Sequence, residues 1–134
     1  VFFRRSDLGS VEAERCMLEA IERFRFPAPA GGSRAEVTFP LILEAPYEHD
    51  PLADYDRRLD EALNRNAADL ERCLGNESGV QLTLYVGPGG RVVSAGAAAE
   101  RAELTDAAQC LAKAAMAWTF PDPGPDTAKA VAEL

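Results

Sequence analysis

The sequence predicts a two-layer α+β fold, with helices packed on one face of an antiparallel sheet. Three observations predict it. Segments with helical periodicity and segments with strand periodicity alternate along one chain, in the order α-β-β-α-β over residues 54–134. A glycine-rich turn, Gly87-Pro88-Gly89-Gly90, joins two of the strand-like runs and signals a hairpin. The helix-stop-strand pattern near the end of the chain also occurs near its start, so residues 1–45 read as a preceding half-unit of order β-α-β, with a linker at 46–53.

Taken in order, Val1-Phe2-Phe3 looks like the tail of a strand, and the chain opens there without an initiator Met or a leader. It therefore reads as a piece of a longer protein. Ser10 is placed to cap a helix whose apolar positions Ala13, Met17, Ala20, Ile21 and Phe24 fall on one face. Phe26-Pro27-Ala28-Pro29 stops that helix, since proline lacks the N–H donor and turns its predecessor away from helical ψ. Val37, Phe39, Leu41 and Leu43 then alternate with Glu36, Thr38, Pro40 and Ile42, predicting a half-buried strand over Glu36 to Glu44. Pro40 marks it as an edge strand.

Asp50-Pro51 is a helix start. The long helical stretch that follows carries Leu59, Ala62, Leu63, Leu70, Cys73 and Leu74 on one stripe, weakened in its middle by Asn64 and Asn66 and stopped at Gly75. Val80, Leu82, Leu84 and Val86 alternate with polar residues and, through the glycine-rich turn, lead into Arg91-Val92-Val93. Thr105 is expected to cap a second helix that buries Ala107, Cys110, Leu111, Ala114, Ala115 and Trp118. Phe120-Pro121-Asp122-Pro123 stops it, and a last strand runs from Lys129 to Leu134. Phe24, Phe26, Trp118 and Phe120 are expected in the core.

The repeat needs no gap. At an offset of 94 positions Ala13 meets Ala107, Cys16 meets Cys110, Ala20 meets Ala114, Phe26 meets Phe120, Pro27 meets Pro121, Pro29 meets Pro123 and Val37 meets Val131. In this register the first copy begins at the tail of its second strand.

Composition narrows the function classes. With 22 acidic residues against 14 basic ones the net charge is −8, which repels phosphate backbones and anionic lipid, so nucleic acid and acidic membrane surfaces are poor partners. No apolar run approaches the roughly 20 residues of a membrane-spanning helix. The single histidine, His49, lies among Glu48, Asp50, Asp54 and Asp56. That spacing matches no calcium loop, and no cysteine lies near it in the sequence, so neither a metal nor a cofactor is implied. The glycine-rich turn leads into a strand, whereas a phosphate cradle opens a helix. One histidine and no nucleophile elbow leave little from which to build a hydrolase.

The three cysteines are more informative. Cys73 ends one helix and Cys110 lies early in the next, so two antiparallel helices on one sheet face would bring them together as a disulfide. The alternative is a pair of small buried thiols. Cys16 is the repeat counterpart of Cys110 and is left as a free thiol. A disulfide places the chain in an oxidising compartment, which in a bacterium is the periplasm or cell surface.

The string from Cys110 through Trp118 to Phe120-Pro121-Asp122-Pro123, preceded by a cysteine-ended helix and the Gly90-Arg91-Val92 hairpin, resembles the AgmX/PglI C-terminal domain family of myxobacterial envelope and gliding-motility proteins. Phe26-Pro27-Ala28-Pro29-Ala30-Gly31-Gly32 follows that family's ending more closely than Gly124-Pro125-Asp126 does. The resemblance implies a unit similar to the C-terminal domain of TonB and a non-catalytic protein-binding role, in which a sheet edge takes up an extended segment of an envelope protein. The expected edges are the run with Val37, Phe39, Leu41 and Leu43 and the strand with Lys129 and Val131, and self-association through the same edges is a second use. Tandem units forming a structural spacer are the alternative, with a secreted enzyme the least favoured reading.

Overall fold

In a computed structural model, residues 1–32, 34–43 and 55–134 are described. Helix α1 spans Val11–Ile21, α2 Tyr55–Arg65 and α3 Ala67–Leu74; strands β1 and β2 span Val80–Val86 and Val92–Ala99; α4 spans Thr105–Ala115 and β3 Ala128–Glu133. The strands form one antiparallel sheet in the order β2-β1-β3. The fold is α+β with helices packed on the sheet; the expected linker at 46–53, with His49, Asp50 and Pro51, and Glu44 at the end of the expected strand before it, lie outside the described residues.

The core follows from the period of two in β1. Val80, Leu82, Leu84 and Val86 point to one face and are fully buried, and alanines flank them there: Ala95 and Ala99 on β2, Ala128, Ala130 and Ala132 on β3. Small residues on the outer strands let α4 lie close over the central leucines, burying Ala108, Leu111, Ala112 and Ala115. Its neighbouring face carries Cys110, which is disulfide-bonded to Cys73 on α3 with the Cα atoms 5.6 Å apart. The expected disulfide is therefore present, and Cys16 is an exposed free thiol. Leu59 and Ala62 bring α2 onto the same core.

Helix ends show where local chemistry decides. Ser10 Oγ accepts from the Ala13 amide at 3.3 Å, the expected N-cap. Thr105 does not cap α4: it is already helical, a short 3₁₀ turn over Ala102–Leu104 feeds the helix, and no side chain caps it. The long helical stretch divides at Asn66, whose side chain donates to the Ala62 carbonyl at 2.8 Å, and α3 ends at Gly75 with φ +58. The hairpin turn is clamped from outside, for the Phe120 amide donates to the Gly90 carbonyl at 2.7 Å. Asp122 adds a second clamp, its Oδ1 accepting from the Gly89 and Gly124 amides at 3.0 and 2.9 Å; these bonds hold its carboxyl below the usual range.

The repeat is kept in its helices and lost after them. α1 and α4 have the same length and begin 94 positions apart, and both close with the same short turns: Phe24 N to Ile21 O in one, Trp118 N to Ala115 O in the other. From there the copies diverge. Trp118 and Phe120 are 3% and 7% exposed, whereas Phe24 and Phe26 are 54% and 59% exposed, so the expectation that all four are core residues holds only for the second copy. The predicted strand over Glu36 to Glu44 does not form within the described residues. Val37, Phe39, Leu41 and Leu43 take part in no ladder and are exposed.

Candidate binding edge

A three-stranded sheet has two outer edges, and the two differ here. In β2 the residues facing β1 alternate with residues whose amides face outward. Two outward donors of β2 are taken by the N-terminal segment: the Ala99 amide donates to the Phe3 carbonyl at 2.9 Å, and the Ala97 amide to Glu14 Oε2 at 3.3 Å. The side chain of a helical residue thus occupies the place of a neighbouring strand's carbonyl. Ser6 Oγ orients it by donating to Glu14 Oε1 at 2.7 Å. Glu14 is buried, which raises its pKa, while the Ser6 and Ala97 hydrogen bonds oppose that rise. Gly96 makes room for it, since a Cβ there would come within 2.5 Å of Glu14 Oε1.

The same segment covers the sheet face opposite the helices. Thr83, wholly buried, donates from Oγ1 to the Ser6 carbonyl at 3.0 Å, and the Ser6 amide donates to Gln81 Oε1 at 3.0 Å. Ser94 Oγ donates to the Gly9 carbonyl, and Gly9, at φ +64, lies against the Tyr85 ring, where a Cβ would approach to 2.5 Å. Val1-Phe2-Phe3, expected as the tail of a strand, lies in no strand here. Among the described residues there is one sheet, and residues 3–14 dress its β2 side.

The β3 edge is different. Val80 and Leu134 exchange backbone hydrogen bonds at 3.0 and 2.9 Å, so the even-numbered residues Ala128, Ala130 and Ala132 face β1 and the amides and carbonyls of Lys129, Val131 and Glu133 face outward. Among the described residues, no hydrogen bond to these outward amides crosses that edge. Side chains soften it only in part: Lys129 pairs with Asp7 at 3.2 Å, Glu133 accepts from Gln81 at 2.8 Å, and Val131 is 41% exposed.

No family model, curated protein or solved structure matches the chain.

Of the residues singled out from the sequence, Cys73 and Cys110 are bonded, Cys16 is free, and Lys129 and Val131 lie on the outward register of an edge strand. Val37, Phe39, Leu41 and Leu43 are not on an edge at all. His49, with Glu48, Asp50 and Asp54, lies outside the described residues. Glu14 was missed, although the sequence carried a signal for it: at the repeat offset it replaces Ala108, an acid on the sheet-facing side of an amphipathic helix.

Proposed function

We propose that the chain is a non-catalytic binding module of a bacterial cell envelope, TonB-like in its mode of action, that captures an extended segment of a partner protein along the outer edge of β3. The observation that carries this reading is the asymmetry of the sheet. One edge is closed by Phe3 and Glu14, while the other presents the outward backbone groups of three alternate residues. Main-chain hydrogen bonds supply affinity in strand addition, and side chains on alternate positions supply selectivity. The Cys73–Cys110 disulfide supports an oxidising location such as the periplasm or cell surface.

The test is Val131→Pro. Proline at 131 removes an outward donor and leaves the inward ladder of Ala130 and Ala132 intact. Partners recovered from an envelope fraction should be lost with this variant, and in the wild type their binding should slow hydrogen exchange at the Lys129, Val131 and Glu133 amides. Partners retained in full by Val131→Pro would refute edge capture. The matched helices α1 and α4 support a second reading, a spacer built from tandem units.

A further inference from the structure

Helix α1 and its repeat counterpart α4 are fixed to the sheet in opposite ways. α4 buries Ala108, Leu111, Ala112 and Ala115, whereas α1 buries one residue, and that residue is the acid Glu14. Among the described residues the core cluster runs from Leu59 to Ala132 and takes nothing from residues 1–21, of which half-buried Val11 alone packs against it. A cavity of about 30 Å³ is left between α1, β2 and α4, with Leu18, Ala97 and Ala108 in its walls. We propose that residues 1–21 are a detachable strap, which undocks from the folded unit as one body and uncovers the β2 edge as a second row of strand-accepting backbone groups. This concerns the edge opposite β3 and does not depend on capture there.

What holds the strap is polar. Gln81, Thr83 and Ser94 bind the backbone of Ser6 and Gly9, Lys129 pairs with Asp7, and the edge itself is met by the Phe3 carbonyl and the Glu14 carboxyl. Water can take the place of each of these partners, so each bond contributes a modest net amount. Burial of the Glu14 carboxyl opposes docking and offsets part of that sum. The sheet face beneath carries Gln81, Thr83, Tyr85, Ser94 and Gly96, so apart from the Tyr85 ring its uncovering exposes little apolar surface.

Segments with few buried apolar contacts open before the rest of a fold. When the strap leaves, the elements from α2 to β3 keep their core and the Cys73–Cys110 bond. The groups set free are the Ala97 and Ala99 amides, which the strap meets with carboxyl and carbonyl oxygens, as the carbonyls of an added strand would.

Native-state hydrogen exchange on the full chain tests this within a single strand. Gly96 and Ala98 pair with Thr83 and Gln81 and turn their amides into the sheet, while Ala97 and Ala99 turn theirs to the strap. The Ala97 and Ala99 amides should exchange at least roughly 100-fold faster than those of Gly96 and Ala98, through an opening with little denaturant dependence. Thr83→Val removes a bond to the strap that involves neither amide, and it should still speed Ala97 and Ala99 together by about tenfold. Leu111→Val weakens the core beneath α4 and should speed Gly96 and Ala98 several-fold while leaving Ala97 and Ala99 unchanged. Exchange of all four amides together, exchange at Ala97 and Ala99 that Thr83→Val does not move, or exchange there that follows Leu111→Val overturns the strap. The pattern is read without any partner present, so a failure of edge capture at β3 leaves it standing.

Discussion

Removing the Cys73–Cys110 bond by the double substitution Cys73→Ala/Cys110→Ala should weaken the fold severely without changing its form. The bond closes a loop with a sequence separation of 37 residues. In the chain-entropy model a loop of that length limits the unfolded ensemble by about 4 kcal/mol. A domain of this kind is stable by roughly 5–15 kcal/mol, so the loss consumes a large fraction of the total. In thermal terms it corresponds to a melting temperature lower by roughly 12–20 °C. The single tryptophan provides the readout: Trp118 is buried, and its Nε1 donates to Asp69 Oδ2 on α3 at 2.9 Å, so its fluorescence reports the α3–α4 contact that the disulfide staples. Equilibrium urea unfolding should show an unchanged native signal, a lower midpoint and a somewhat steeper transition, since the uncrosslinked unfolded chain exposes more surface. A loss of stability below about 1 kcal/mol would refute the argument. It would mean that the unfolded chain keeps these helices together without the bond.

Other expectations follow from single residues. Burial raises the pKa of Glu14 above its ordinary 4.5, so its folded value exceeds its unfolded one. Its contribution is complete below the unfolded pKa and is lost as pH rises through the folded pKa, so the wild type should lose stability over that window. Glu14→Gln keeps an acceptor for the Ala97 amide and should flatten the loss, and a stability profile unchanged by the substitution would show that burial is not what perturbs this carboxyl. Gly90→Ala places a Cβ 1.8 Å from the Phe120 carbonyl oxygen at φ +74 and should cost roughly 2–4 kcal/mol in urea unfolding. Leu111→Ala, at a wholly buried position between α4 and the sheet, should cost about 2–5 kcal/mol by the same measurement. Thiol labelling of the native protein should modify Cys16 alone, and Cys16→Ser should leave stability within about 0.5 kcal/mol.

What the sequence determined by itself is what depends on neighbours a few residues away. The period of two in Val80 to Val86, the Gly-Pro-Gly-Gly turn, the Ser10 cap and the stop at Gly75 are set by backbone stereochemistry and local hydrogen bonding, and each is found in place. The Cys73–Cys110 pairing was legible because two helices crossing one sheet face leave little freedom in where their cysteines meet. Tertiary structure alone decided which strand-like run becomes a strand. Ala128–Glu133 is poorer in large apolar residues than Val37–Leu43, yet it is the one that pairs. A strand is completed by hydrogen bonds from a neighbour distant in sequence, and Ala128–Glu133 lies along β1 where Val37–Leu43 does not. Glu14 shows the same dependence: its pattern in the sequence is that of a misplaced acid on an apolar face, and only the approach of the Ala97 amide and the Ser6 hydroxyl across the fold turns it into the group that closes an edge.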